Sequence, residues 1–160
     1  MKKMAGINLK ELTNRQSPLT EGHRMCPGCG APTAVRQGLM AVEDPVVIVG
    51  ATGCFEVSTT VYPYSAWRVP YMHIAFENAG AGVSGVAAAH KVLSRKGAVK
   101  DNIKFAAVGG DGGTYDIGLQ SLSGALERGH DFTYICYNNQ GYMNTGAQRS
   151  SATPANASAT

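Results

Sequence analysis

Residues 109–146 read GGDGGTYDIGLQSLSGALERGHDFTYICYNNQGYMNTG. The stretch opens on one carboxylate among four glycines and ends on two adjacent asparagines ahead of a glycine-marked turn. Between these ends, residues 117–128 predict a helix, with Asp116 as N-cap and Gly129 as stop. FTYICYNN (132–139) predicts a strand, and IKFAAVGG (103–110), just upstream, predicts another. Strand, turn, helix and strand form one crossover, the unit of a parallel sheet. In such sheets ligands gather at the carboxyl ends of the strands. If the two strands are neighbours, Asp111 and Asn139 finish on one edge and offer hard oxygen atoms to one point.

The pattern repeats upstream. PVVIVGA (45–51) is a short continuous apolar run, as expected of a strand buried on both faces, and YMHIAFE (71–77) predicts a further strand. A helix is expected over 32–43, with Pro32 in its first turn, and another over 78–97. Gly80, Gly82 and Gly85 in the second of these suggest close backbone approach to a neighbour or a ligand. TGCFEVSTTVYPYSAW (52–67) is expected to be a loop. The fold class is therefore α/β, a mostly parallel sheet with helices on both faces. Residues 1–22 are expected to be an irregular arm and 23–160 the domain. A sheet of about four strands that stops in mid-loop is expected to be incomplete, the first part of a longer domain.

With 44% apolar and 16% charged residues, the composition is that of a globular domain, and the twenty glycines exceed the usual share. A net charge of +3 is too mild to argue for nucleic acid. No apolar run approaches the ~18 residues of a membrane helix, and the start does not read as a secretory signal, so a cytoplasmic location is expected.

Magnesium takes oxygen ligands, few of them from protein and the rest from phosphate and water. Glycines around Asp111 allow backbone N–H groups to approach phosphate oxygens. A diphosphate held through magnesium is one reading of the stretch. Ordinary punctuation by a glycine turn and an Asn-Asn turn is another. A dinucleotide site is weaker, because no G-x-G-x-x-G surrounds Asp111.

CPGCG (26–30) is a C-x-x-C turn, and a third cysteine stands in ATGC (51–54). The pair alone could be a zinc knuckle, a redox dithiol or part of an iron–sulfur site. Zinc usually needs a second close pair, which is missing. Three thiolates with a fourth ligand from elsewhere suit a [4Fe–4S] cluster. Cys54 follows the strand PVVIVGA and should emerge on the same sheet edge as Asp111. Cys136, inside a strand, is expected to be a buried structural thiol.

GDG at 110–112, then 25 residues, then NN at 138–139 resembles the motif of thiamine-diphosphate enzymes. With GHRMCPGCGAP, ATGCFEV, HIAFENA and YNNQGYMNTG, the chain resembles the β subunit of 2-oxoacid:ferredoxin oxidoreductases, of the pyruvate synthase type, over residues 20 to about 150. The resemblance implies a thiamine-diphosphate-binding fold. It also implies magnesium on Asp111, Asn139 and the carbonyl of Gly141, and a [4Fe–4S] cluster on Cys26, Cys29 and Cys54. It places Thr52, Gly53, Cys54, Phe76, Glu77, Asn78, Gly110, Gly112, Gly113 and Met143 around the cofactor, and Asn144 toward substrate as the catalytic candidate. The family's glutamate that activates the cofactor comes from the partner subunit, so Glu77 is given no catalytic role. The implied reaction is oxidative decarboxylation of a 2-oxoacid, pyruvate first, with acyl transfer to coenzyme A and electrons passed to ferredoxin. Other subunits of the complex are the implied partners. The family's fourth cluster cysteine lies downstream of the residues present here, so a fragment of a longer chain is expected. Oxalate or another 2-oxoacid as substrate, an iron-free thiamine decarboxylase and a structural zinc module are the alternatives.

The remaining single residues give weaker signals. His23 reads as a brace for the cysteine turn, His73 as a core histidine, and His90 and His130 as surface residues. Trp67, Tyr62 and Tyr64 read as an interface or core cluster.

Overall fold

Continuous apolar runs need cover on both faces, and the chain supplies it from both sides. The structure, a computed structural model, describes residues 8–160. The first seven residues of the expected arm lie outside them. Four strands, β1 (Val46–Ala51), β2 (Tyr71–Ile74), β3 (Lys104–Gly110) and β4 (Thr133–Tyr137), pair in the order β2-β1-β3-β4. Every pairing is parallel, with Ile48 beside Ala106 and Gly110 beside Tyr137. That last pair brings Asp111 and Asn139 to the same edge.

Successive strand residues point to opposite faces. Ile48, Ala106 and Val108 meet Val35 and Leu39 of helix α2 (Gly30–Met40), and Phe55 of α3 (Cys54–Thr59). Val49, Ala51, Phe105 and Ala107 meet Ala79 and Val83 of α4 (Ala79–Arg95) on the other side. Helix α5 (Leu119–Glu127) packs beside α4. Burying each such valine, leucine or phenylalanine contributes about 1.5–3 kcal/mol. Trp67 closes the first face, stacked on Tyr71 at 4.8 Å, its indole N–H donating to Thr59 Oγ1 at 3.0 Å. Tyr62 and Tyr64 do not join it; both are exposed.

Several expectations need correction. The arm contains a short helix, α1 (Leu9–Leu12), which Asn8 caps by accepting from the Lys10 N–H at 3.0 Å. The loop expected from Thr52 begins with α3 instead, because Phe55 and Thr59 must reach the core. β2 stops at Ile74, and as an edge strand it leaves His73 half-exposed rather than in the core. Cys136 is half-buried rather than buried, since β4 forms the other edge.

The glycines of α4 divide by position. A Cβ on Gly80 would come within 2.8 Å of the Leu122 backbone, so this glycine sets the α4–α5 approach; Gly82 faces Ile74 and Val49; Gly85 faces open space. Gly80→Ala is expected to cost about 1–3 kcal/mol through overpacking. Gly85→Ala should instead stabilise the fold by roughly 0.5–1 kcal/mol through helix propensity. Urea unfolding of the two variants should show opposite signs.

Candidate functional site

β3 does not run into a free glycine loop. Its end leads through Asp111 into a π-helical turn, Gly112–Asp116, closed by the Ile117 N–H donating to the Gly112 carbonyl at 3.1 Å. π-turns are rare and concentrate at functional sites. This turn explains why Asp116 does not cap α5. The N-cap position is Gly118, with no side-chain bond, and the Asp116 carboxylate turns toward the chain beyond β4.

Asp111 is fully buried. Its Oδ1 accepts from the Asn139 N–H at 3.2 Å, and its Oδ2 accepts from the Ser150 hydroxyl. The inward end of the Asn139 side-chain amide stands 2.9 Å from Asp111 Oδ1 and 3.1 Å from the Gly141 carbonyl oxygen. Turned nitrogen-inward, the amide donates to both. Turned oxygen-inward, it completes a corner of three hard oxygens, a donor set whose mutual repulsion a cation relieves. In that orientation its nitrogen reaches Cys54 Sγ at 3.6 Å. Gln140, between the two donors, has φ of +68°, a left-handed conformation that turns the Gly141 carbonyl back toward Asp111.

Above this corner opens a cleft of about 120 Å³. Gly110, Gly112 and Gly113 form its floor; Thr52, Gly53 and Cys54 form one wall; Gly141, Met143 and Asn144 form the other. Phe76, Tyr137 and Tyr142 supply aromatic surface. A Cβ at Gly113 would sit 3.0 Å from the Phe76 ring, and one at Gly112 would crowd the Tyr142 ring, so the bare backbone lets both rings close on the floor. Glu77 and Asn78 are not among the cleft-lining residues. The Glu77 carbonyl accepts from Ser121 at 2.6 Å, and Asn78 occupies the N-cap position of α4 without a side-chain bond.

The thiols are less gathered. Cys26 and Cys29 flank a turn closed by a 3.0 Å backbone bond, Cys26 exposed and Cys29 half-buried at the head of α2. Cys54 starts α3 and faces the Tyr137 hydroxyl; burial pushes its thiol up, and the neighbouring Cys29 adds to the effect. Among the described residues, no three His, Cys, Asp or Glu side chains converge on a single ion. A four-iron cluster makes a different demand, since each thiolate binds its own iron. The His23 Nδ1, in the loop ahead of the cysteine turn, is buried without a partner.

Sequence reasoning missed Tyr137, Tyr142, Ser150 and Asp116. The Tyr142 hydroxyl donates to Asp116 Oδ2 at 2.9 Å, and the Ser151 N–H donates to both Asp116 oxygens, at 3.2 and 3.1 Å. Asp116 thus clasps the 142–151 segment over the site. Tyr142 lies three residues past Asn139, the end of the asparagine motif, and this spacing was its only signal. Burial raises the Tyr142 hydroxyl to about 12, and the Asp116 carboxylate it donates to adds to that. Burial also acts to raise Asp116, but the bonds from Ser151 and Tyr142 outweigh it and hold the carboxyl below its ordinary range. The clasp therefore contributes stability above the unfolded-state value of about 3.9 and loses it as pH falls through the lower folded value. Asp116→Asn should cost about 1–3 kcal/mol at pH 7 and flatten the acid limb of the stability profile, read by urea unfolding across pH.

A family model described as "Thiamine pyrophosphate enzyme, C-terminal TPP binding domain" matches residues 51–160. The pyruvate synthase subunit PorB of Thermotoga maritima is 55% identical over 158 residues, which cover 92% of this chain and 48% of that protein. The ketoisovalerate oxidoreductase subunit VorB of Pyrococcus abyssi is 49% identical, over 83% of this chain and 43% of its own length. A solved structure of the 2-oxoglutarate:ferredoxin oxidoreductase from Magnetococcus marinus superposes with a TM-score of 0.66 at 21% identity, over 99% of this chain and 50% of that one, and shares the fold. The chain spans about half the length of the curated relatives it matches. Among the described residues, no helix is long and apolar enough to cross a membrane.

Proposed function

Because the chain belongs to the thiamine pyrophosphate enzyme family, through its C-terminal TPP-binding domain, we propose that its cleft holds magnesium thiamine diphosphate within a 2-oxoacid:ferredoxin oxidoreductase. The observation that carries this reading is the oxygen corner, where the Asn139 amide lies 2.9 Å from Asp111 Oδ1 and 3.1 Å from the Gly141 carbonyl. Asp111, Asn139 and the Gly141 carbonyl would hold the cation. Gly110, Gly112 and Gly113 would present backbone to the diphosphate. Thr52, Gly53, Cys54 and Met143 would flank the ring that reacts, with Phe76 on its apolar side and Glu77 and Asn78 supporting from behind. Asn144, exposed on the turn beyond Gly141, would face the substrate. Bound there, the cofactor supplies a carbanion for the 2-keto group and a sink for the electrons of decarboxylation.

Cys26, Cys29 and Cys54 would provide three thiolates to a proximal [4Fe–4S] cluster, the fourth ligand lying outside these residues. Their unpaired thiols, exposed at Cys26 and half-buried at Cys29 and Cys54, support this assignment. Pyruvate is the proposed substrate, with coenzyme A as acyl acceptor, ferredoxin as electron acceptor and the remaining subunits of the complex as partners. The similarity to the VorB subunit keeps a branched 2-oxoacid as the second reading.

The test is anaerobic purification of the full-length chain in its complex, with thiamine, iron and sulfide analysis and a viologen assay over a panel of 2-oxoacids. Bound thiamine, iron–sulfur absorption and pyruvate-dependent viologen reduction are expected. Zinc without thiamine would overturn the reading.

A further inference from the structure

Ser150 does not line the cleft, yet it is almost as deeply buried as Asp111 and lies against it. Its hydroxyl donates to Asp111 Oδ2 and accepts the Ala152 N–H at 3.1 Å. Its own N–H donates to Thr153 Oγ1 at 2.9 Å, and the Thr153 hydroxyl donates to the Gln140 carbonyl at 2.7 Å. Gln140 is the left-handed residue between Asn139 and Gly141. Two adjacent hydroxyls therefore hold both halves of the oxygen corner, the carboxylate from one side and the 139–141 turn from the other.

We infer that Ser150 and Thr153 are positioning residues for the divalent cation. Ser150 engages Asp111 Oδ2, so that Oδ1 alone faces Asn139 and Gly141. Thr153 fixes the turn that aims the Gly141 carbonyl. The inference rests on the magnesium reading above and extends it to residues that touch neither cofactor nor substrate. Its physical basis is the rigidity of magnesium coordination, which needs near-ideal octahedral directions. A carboxylate free to rotate, or a turn free to relax, presents its oxygen in the wrong direction part of the time. Hydrogen bonds behind the ligands remove that freedom.

A purely structural tether would lower stability without selecting for the cation, and this difference sets the test. The full-length chain in its complex is stripped of divalent metal and titrated with Mn²⁺ under saturating thiamine diphosphate, free Mn²⁺ being read by electron paramagnetic resonance. Thermal unfolding is followed in parallel. Ser150→Ala is expected to weaken Mn²⁺ binding about 10–100-fold and Thr153→Val about 10-fold. Thr153→Ser, which keeps the hydroxyl, should bind as the wild type does. Wild-type affinity in both Ser150→Ala and Thr153→Val, with only the melting temperature lowered, would overturn the inference while leaving the magnesium reading standing. A wild-type protein that takes up no Mn²⁺ overturns the magnesium reading itself, and the positioning role with it. If Ser150→Ala does not fold, the Thr153→Val and Thr153→Ser pair decides, because Thr153 is only half-buried and its hydrogen bonds run to Ser150 and Gln140 rather than to Asp111.

Discussion

Asp111→Asn is expected to reduce retention of thiamine diphosphate in the presence of magnesium by about 100-fold or more, a loss of roughly 2.8 kcal/mol of binding. The fold should survive the change. An asparagine can keep its oxygen toward the Asn139 N–H, where Asp111 Oδ1 accepts, and turn its nitrogen toward Ser150. The Ser150 hydroxyl can reverse from donor to acceptor, since its hydrogen rotates to suit the partner. What disappears is the negative charge, and with it most of the attraction for a hard cation. A buried carboxylate is costly to desolvate, so the metal-free variant should be at least as stable as the wild type. Thermal shift should show an unchanged or raised midpoint without magnesium and no further rise on adding magnesium and thiamine diphosphate. A variant that still gains stability from the pair would remove Asp111 from the site.

Gly118→Ala is expected to destabilise the fold by about 3 kcal/mol, at the upper end of overpacking effects. An added Cβ would overlap the Gly113 carbonyl oxygen and lie 3.1 Å from the Glu77 carbonyl oxygen. Both obstacles are backbone, and neither can move aside as a flexible side chain would. Relief requires opening the π-helical turn or pushing the 76–78 segment away from α5. The Glu77 carbonyl already holds Ser121 at 2.6 Å, so that segment is tied. Because the turn forms the cleft floor, cofactor affinity should fall together with stability. Urea unfolding, with Gly85→Ala as the control that meets nothing, gives the measurement.

Much of the architecture was legible because burial on two faces leaves a direct mark. VVIVGA and KFAAVGG are apolar without alternation, and both became central strands. The exposed His73 was misread for the complementary reason. An edge strand and a central strand can share the same propensities, and only the pairing order tells them apart. Helix α3 was missed because six residues rich in β-branched and polar side chains carry little helical signal. Gly80 and Gly85 read alike in the chain, although one sets a helix approach and the other meets nothing.

For the site, the spacing of Asp111 and Asn139 across one crossover already implied a shared edge, since every right-handed parallel unit returns to the edge it left. Ser150 and Asp116 had no such mark. A serine in QRSS and an aspartate in TYD are ordinary surface residues until the segment beyond β4 folds back, burying Ser150 against Asp111 and tying Ser151 to Asp116. Local patterns determined the strands, their parallel sense and the edge on which the chemistry gathers, because periodicity and crossover geometry act over a few residues. Which carboxylate oxygen faces the cleft, and which hydroxyls hold it there, was decided by the tertiary structure alone. Those contacts join residues 39 apart in Asp111–Ser150 and 35 apart in Asp116–Ser151, and no periodic pattern reaches that far.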